Sequence, residues 1–189
     1  MNYIEQIKNY KPKNEQEKMD QKQILAFIKN NDDHLYRSNL TAHLTSSAII
    51  CNPTLTKTLF VYHNIYDSWG WVGGHLDGNP NLLEVAIKEA KEENGIKKVV
   101  PFDSHILLID SILVKNHIKH DKYVPDHLHL NVTFLLIADE NQKLMHKPDE
   151  NQGVKWFDLY DIFNVISENR MIPIYQKALH EINKIALKN

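Results

Sequence analysis

Three glutamates near the end of one helical segment are the residues best suited to chemistry. Glu89, Glu92 and Glu93 stand at positions i, i+3 and i+4, so their carboxylates share one side of the last turn. Like charges at this spacing repel by about 0.2–0.5 kcal/mol per pair, and negative charge at a helix C-terminus opposes the helix dipole. Because a cation would compensate both effects, the pattern indicates a site for Mg²⁺ or Mn²⁺, which prefer carboxylate and phosphate oxygens.

A simpler interpretation is a solvated charged face, in which Lys88 and Lys91 form local ion pairs with the glutamates. The segment before the helix favours a ligand site instead. An aromatic strand leads there into an expected loop that contains Gly73, Gly74 and Gly78. Glycines in such a loop permit positive φ and let the backbone approach a ligand closely.

The spacing of these residues resembles the box of the Nudix hydrolase family. That box is Gly, five residues, Glu, seven residues, Arg-Glu, an apolar residue, any residue, Glu-Glu, any residue, Gly and an apolar residue. The Gly-Gly-His-Leu-Asp-Gly form resembles a bacterial subgroup of the family. The residues that fall at the required spacings are Gly74, Lys88-Glu89-Ala90, Glu92-Glu93, Gly95 and Ile96.

Two box positions depart from the family pattern. Pro80 replaces the first Glu and Lys88 replaces the Arg, so the structural ion pair that these two residues form in the family is absent. We expect Glu84, four residues before Lys88, to substitute for part of that pair. Val72 stands where the family often has Pro. None of these changes removes a carboxylate that the family uses for metal.

The resemblance implies a metal-dependent hydrolase that cleaves a diphosphate linkage in a nucleoside diphosphate joined to another moiety. Glu89, Glu92, Glu93 and the carbonyl of Gly73 would bind Mg²⁺, or Mn²⁺ in its place. Glu150 is the candidate for a later acidic residue that often completes such sites. The catalytic candidates are Glu93, Glu92 and Glu150, and the sequence does not choose which of them accepts the proton of the attacking water.

Several side chains around this centre are candidates for binding the substrate. His127 and His129 share one face of a predicted strand. Their spacing would also suit zinc on a strand, but no third soft ligand stands at motif spacing, so we do not favour a zinc site. Exposed sheet histidines and core aromatic residues are the simpler alternatives. The substrate-binding candidates are His75, His127, His129, Arg37 and Trp71, with His43 as a further phosphate contact.

The surrounding elements predict a mixed α/β or α+β domain, because short β-rich segments alternate with helical periodicity. The resemblance covers about 40–160 and implies an α/β/α sandwich with a mixed sheet. We expect an N-terminal helical extension, 1–39, packed on the same domain, and a Nudix hydrolase domain, 40–189. The predicted helices are about 14–30, 81–95, 159–167 and 171–187, and the predicted strands are 44–50, 58–63, 106–114, 127–138 and 154–157.

Composition limits the partners and the location. The chain has 189 residues with 22 Lys+Arg against 24 Asp+Glu, a formal charge of −2, which argues against a general nucleic-acid or membrane-surface binder and favours a small molecule. A single cysteine, Cys51, excludes an intramolecular disulfide and fits a reducing, cytoplasmic location. We expect no membrane span. A homodimer through the N-terminal helix or an edge strand is compatible with the pattern.

Three other functions are compatible with the same family resemblance but fit this sequence less well. A binding module would sense a nucleotide without turnover, although such domains usually lose box carboxylates. An isomerase of the isopentenyl diphosphate type would need a reactive cysteine, whereas Cys51 follows an apolar strand in a setting that suits packing. An RNA-decapping role lacks the basic patch that it would need. The substrate itself stays open among ADP-ribose, damaged nucleoside triphosphates, dinucleoside polyphosphates, nucleotide sugars and NADH.

Overall fold

The computed structural model describes residues 2–119 and 121–188, which form four α-helices around a mixed β-sheet. None of the helices in this part of the chain is long and apolar enough to cross a membrane. The helices are α1 (Tyr3–Asn9), α2 (Glu15–Asn30), α3 (Leu82–Asn94) and α4 (Ile172–Ala186). The strands are β1 (Ala42–Cys51), β2 (Lys57–His63), β3 (Ser68–Gly70), β4 (Val72–His75), β5 (Val100–Pro101), β6 (Leu108–Val114), β7 (His117–Lys119), β8 (Lys122–Val124), β9 (His127–Ile137) and β10 (Asn151–Asp158).

The central sheet is built around one parallel pair of strands, β1 and β9. These two strands stay in register from the pair Ala42 and Leu128 to the pair Cys51 and Ile137. The strand order is β10-β2-β1-β9-β5, with β3 added on β2, β4 on β1 and β6 on β9, and all of these other pairings are antiparallel. Strands β7 and β8 form a separate hairpin-like pair.

Alternating side chains of β1 fill two cores on opposite faces of the sheet. Leu44, Ala48 and Ile50 pack into the core that contains α2 and α3. Ile49 and Cys51 point the other way, into the core that contains α4. Helices therefore cover both faces, and the predicted α+β fold, an α/β/α sandwich with a mixed sheet and an added N-terminal helix, is confirmed.

Two predicted helices begin and end where their capping residues indicate. The side chain of Asn14 accepts the backbone N–H of Glu17 at 2.8 Å, and that of Asn81 accepts the backbone N–H of Glu84 at 3.2 Å. Gly95 closes α3 with a φ of 71°, the left-handed conformation that favours glycine. The predictions for 14–30 and 81–95 are confirmed.

The helix predicted for 159–167 is wrong. The short 3-10 turn Asp161–Asn164 lies there instead, and a second one, Asn169–Met171, precedes α4. Its β-branched residues favour a helix weakly, and the N-cap position of the first turn makes no side-chain capping hydrogen bond. The backbone N–H of Ser167 donates instead to the hydroxyl of Ser68 at 3.0 Å, which ties the segment to the sheet.

A buried ion-pair network joins α2, β6 and α4. The ammonium of Lys177 lies 3.1 Å from Oε1 of Glu17 and 2.6 Å from Oδ1 of Asp110, and both carboxylates are buried. Tyr10 donates its hydroxyl hydrogen to Glu17 at 2.7 Å, and the amide of Gln16 donates to Asp110 at 3.2 Å. Burial raises the pKa of Asp110 to about 6, against the lowering effect of Lys177. One lysine thus holds two buried carboxylates together.

We predict that Lys177→Met lowers the free energy of unfolding by about 3–5 kcal/mol, because it leaves Glu17 and Asp110 buried without their shared cation. Urea unfolding followed by circular dichroism measures the change. Lys184→Met is the matched control, since Lys184 lies on the same helix and pairs with Glu181 at 2.8 Å, but it is half exposed. Its expected loss is below about 1 kcal/mol. Similar losses in the two variants would contradict the prediction.

Candidate active site

The last turn of α3 and the edge of β4 bring the glutamates and the glycines together. Glu93 is 3% exposed, and its Oε1 accepts the backbone N–H of Gly73 at 2.9 Å. Glu89 is partly buried one turn earlier, and Glu92 points to the more open side of the helix. The turn therefore presents carboxylates at graded depths along one wall of a cavity.

Burial and neighbouring carboxylates raise the pKa of two of these glutamates. Burial raises the pKa of Glu93 to about 8; the charges of Glu89 and Glu150 add to the rise, and the hydrogen bond from Gly73 opposes it. Burial also raises the pKa of Glu89, with Glu150 again contributing. Burial therefore disfavours the ionised form of these carboxyl groups, and a cation bound at this wall would offset the cost of ionising them.

Lys88 pairs inside the cluster, and the expected ion pair between Glu84 and Lys88 is wrong. The Lys88 ammonium lies 3.6 Å from Glu89 and 3.7 Å from Glu92, and its side chain is 59% exposed. Glu84 instead lies 3.5 Å from the amide nitrogen of Asn79. The reason is electrostatic, since the later glutamates concentrate more negative charge near Lys88 than Glu84 does alone. Because the pair is exposed, it neutralises the cluster weakly.

The start of β10 carries Glu150 to the same wall. The neighbouring Asn151 is buried and donates its amide hydrogen to the backbone carbonyl of Glu93 at 2.9 Å. The backbone carbonyl of Glu150 accepts the N–H of Asn64 at 3.0 Å, and its carboxylate pairs with Lys147 at 3.1 Å. These contacts explain how a residue 57 positions after Glu93 comes to share its electrostatic environment.

Gly73 and Gly74 lie in β4, so the prediction of a loop at these two positions is wrong. They pair with Ser47 and with its neighbour on β1. A Cβ on Gly73 would lie 2.9 Å from the Cα of Ser47, and a Cβ on Gly74 would lie 2.5 Å from the carboxyl carbon of Glu89. These glycines are needed for close packing, while Gly78 in the following turn has the positive φ of 91°.

The floor of the cavity is a strip of uncharged polar side chains on β1 and β9. The hydroxyls of Thr45 and Ser47 both donate to Oδ1 of Asn131 at 2.9 Å, and the Asn131 amide donates to Thr133 at 3.0 Å. The parallel register places these residues side by side. The cavity above them has a volume of about 770 Å³, within the usual range of small-molecule sites.

Four histidines lie at one end of this strip. His75 and His129 line the cavity, and His43 and His127 are buried beside them. The His127 ring stacks on the His43 ring with centroids 5.0 Å apart. Burial lowers the pKa of His43 and of His129 and lowers the pKa of His75 to about 3. Burial therefore disfavours the charged form of these three imidazoles.

Arg37 reaches the rim of the cavity from the N-terminal segment. Its Nε donates to Oδ1 of Asp77 at 2.8 Å, and a second guanidinium nitrogen contacts Oδ2 of the same carboxylate. The neighbouring Tyr36 covers Gly78, and the backbone N–H of Gly78 donates to the carbonyl of Leu35 at 3.2 Å. Arg37, a candidate substrate contact, is thus already paired with Asp77 in the turn that follows β4.

Trp71 lines the cavity from within the core. It is 7% exposed, and its ring packs edge-on against Tyr175 with centroids 5.2 Å apart. Beyond it lie cavity residues that the sequence pattern did not single out, two of them in the short stretch between the predicted helices 159–167 and 171–187, which carries no recognisable motif. They are Tyr66, Glu168 and Arg170, with the Arg170 guanidinium 6.0 Å above the Tyr66 ring.

Comparison with known proteins identifies the family. The model of the NUDIX domain family matches residues 41–180, and the chain therefore belongs to this family. The predicted family is confirmed, and membership identifies the chain as a hydrolase that acts on phosphorus-containing anhydrides. None of the curated protein sequences matches the chain.

Solved structures share the fold at low sequence identity. The C. elegans Ap4A hydrolase has a TM-score of 0.55 and 16% identity, over 77% of this chain and 99% of that one. A NUDIX-family hydrolase of Clostridium perfringens has a TM-score of 0.54 and 22% identity, over 76% of this chain and 97% of that one. The E. coli dihydroneopterin triphosphate pyrophosphohydrolase has a TM-score of 0.53 and 14% identity, over 77% of this chain and 96% of that one. At these identities the similarity supports the fold alone.

We predict that Gly74→Ala lowers the rate of anhydride hydrolysis by about 100-fold, because the new Cβ displaces the carboxylate of Glu89. Rates over a panel of phosphoanhydrides with Mg²⁺ provide the measurement, and the unfolding temperature shows whether the fold is intact. Gly153→Ala is the control, since its Cβ would meet the ring of Trp69 at 3.2 Å, outside the glutamate cluster. Unchanged rates in Gly74→Ala would show that Glu89 is not needed where it lies.

Proposed function

We propose that this protein is an Mg²⁺-dependent hydrolase, with Mn²⁺ as the alternative ion, that cleaves a diphosphate linkage in a nucleoside diphosphate joined to another moiety. The observation that carries the proposal is the crowding of Glu93, Glu89 and Glu150 on one cavity wall. A bound cation would offset the cost of ionising these crowded carboxyl groups. The adjoining cavity has room for a nucleotide derivative.

The donors available at this wall fit a hard divalent cation. Glu89, Glu92 and Glu93 supply carboxylate oxygens, and Gly73 is the proposed carbonyl ligand. Because the N–H and C=O of an extended residue point to the same side of its strand, the Gly73 carbonyl shares the side on which its N–H meets Glu93. When bound, such a cation neutralises the diphosphate and makes water a better nucleophile.

The three catalytic candidates differ in what their surroundings allow them to do. Glu93 is buried and hydrogen-bonded to Gly73, which suits holding a cation in a fixed place. Glu92 and Glu150 are partly exposed and pair with lysines at the rim, so each keeps a carboxylate oxygen free to accept the proton of the attacking water. In this proposal all three form the catalytic set.

The rest of the cavity would bind the remainder of the substrate. His75, His129 and Trp71 line it, Arg37 stands at its rim, and His127 supports His129 from behind. We propose that the partner is a small molecule and that the protein is cytoplasmic, which its buried free thiol supports. The segment 1–39 is proposed to belong to the same folding unit as 40–189, and a homodimer stays a prediction.

We predict that Glu93→Gln lowers Mg²⁺-dependent turnover by about 100- to 1,000-fold without lowering the unfolding temperature. The amide keeps the shape of the side chain and removes a buried charge, so stability is retained while the cation site loses a ligand. Phosphate release, measured across a panel of nucleoside diphosphate derivatives, reports turnover. Glu84→Gln, an exposed change on the same helix, serves as the control. Near-wild-type rates in Glu93→Gln would refute the proposal.

We also predict that Cys51→Ala leaves turnover within about twofold of the wild-type value, which separates a hydrolase from a cysteine-dependent isomerase. Cys51 is buried, and burial raises the pKa of its thiol to about 12, so the reactive thiolate is suppressed. It lies four residues along β1 from Ser47, the strand partner of Gly73, which is a distance of about 13 Å. A large loss of turnover in a folded Cys51→Ala protein would contradict this.

A further inference from the structure

Three histidines from three adjacent strands meet at one end of the cavity, and we name them the histidine triad. His43 lies on β1, His75 ends β4 and His129 lies on β9, with β1 between the other two strands. One ring nitrogen of each lies within 4.8 Å of the others. Their ring centroids are 4.9, 5.0 and 5.1 Å apart, so the three rings surround one point.

His43 presents a nitrogen without a partner. Its Nδ1 lies 3.1 Å from the backbone carbonyl of Asn39. Since a carbonyl oxygen accepts, Nδ1 carries the hydrogen and Nε2 carries the lone pair. This Nε2 is buried and has no hydrogen-bond partner. A buried lone pair of this kind lacks a donor or a cation.

His127 orients His129 in a similar way. Nδ1 of His127 donates to the backbone carbonyl of Pro125 at 2.8 Å, so its Nε2 carries a lone pair. That lone pair lies 3.3 Å from Nε2 of His129, which therefore donates to it and keeps its own Nδ1 free as an acceptor. An acceptor behind an imidazole that sets its tautomer is the usual support of a metal-binding histidine.

We propose that the histidine triad is a second metal site, distinct from the glutamate cluster, which binds a divalent transition metal of the Zn²⁺ class. Uncharged imidazole nitrogens suit such ions, whereas the oxygen donors of the glutamates suit Mg²⁺. Three protein ligands leave a fourth coordination position. Because His75 and His129 line the cavity, that position faces the substrate space. His127 is a positioning residue for His129.

The surroundings are compatible with a cation. Two cationic side chains, Arg37 and Lys119, act on His75. Arg37 is paired on two nitrogens with Asp77, so much of its charge is neutralised locally. Zn–N bonds of about 2.0–2.1 Å require the three nitrogens to approach more closely than 4.8 Å. His75 and His129 are both partly exposed, and His75 stands at the end of β4, so rotation of its ring would supply this movement.

The test uses the full chain without a histidine tag, titrated with Zn²⁺ by calorimetry in saturating Mg²⁺, and with Co²⁺ as a spectroscopic probe. We expect one Zn²⁺ per chain and a visible Co²⁺ absorption band. His75→Gln and His129→Gln should each lose both signals. His127→Gln should weaken Zn²⁺ binding by about 10- to 100-fold. The exposed His105→Gln is the matched control and should bind as the wild type does.

Glu93→Gln distinguishes this site from the glutamate cluster, because it should bind Zn²⁺ normally even if the proposed Mg²⁺-dependent activity fails. Circular dichroism and unfolding temperatures of the metal-free variants show that each one folds. Absence of Zn²⁺ binding by the wild type in saturating Mg²⁺ would overturn the proposal. So would binding that survives both triad substitutions, or a higher KM in those variants with unchanged Zn²⁺ affinity, which would assign the histidines to the substrate instead.

Discussion

The parallel pairing of β1 with β9 is the constraint on which the rest of the structure depends. It holds ten residue pairs in one register, with β4 bound to the other edge of β1. Since side chains alternate along a strand, this register decides that Thr45 and Asn131 face the cavity while Leu44 faces α3. A slip of one residue would bury the polar strip in the apolar core and expose Leu44 to the cavity.

Two chemically different donor sets share this framework. A helix end supplies the oxygens of Glu89, Glu92 and Glu93, whose mutual repulsion destabilises the turn that carries them. The strands supply neutral nitrogens and hydroxyls, which pack without net charge. Features that weaken a fold locally are typical of functional sites, and the crowded glutamates on this helical turn are such a feature. The buried network around Lys177 lies on other elements and stabilises the fold independently.

Local patterns predicted most of the elements, and non-local contacts account for what they missed. Asn14, Asn81 and Gly95 are capping residues whose effect reaches a few positions, so α2 and α3 were predictable. The short α1 has too few turns to show a periodicity. The meeting of His43 with His129 depends on strands 86 residues apart in the sequence, and no local spacing encodes their register. The glutamates were found because one helix carries all three.

The contact between the N-terminal segment and the turn at residues 77–78 has a consequence for local unfolding of the protein. Arg37 forms an ion pair with Asp77, and the Tyr36 side chain packs over Gly78. The backbone N–H of Gly78 donates to the carbonyl of Leu35. We expect that amide to exchange its hydrogen with solvent when its hydrogen bond to Leu35 opens. These contacts join two stretches of chain that lie 40 residues apart, so we expect them to open together, and amide hydrogen exchange in the turn around Gly78 to report on the detachment of the extension.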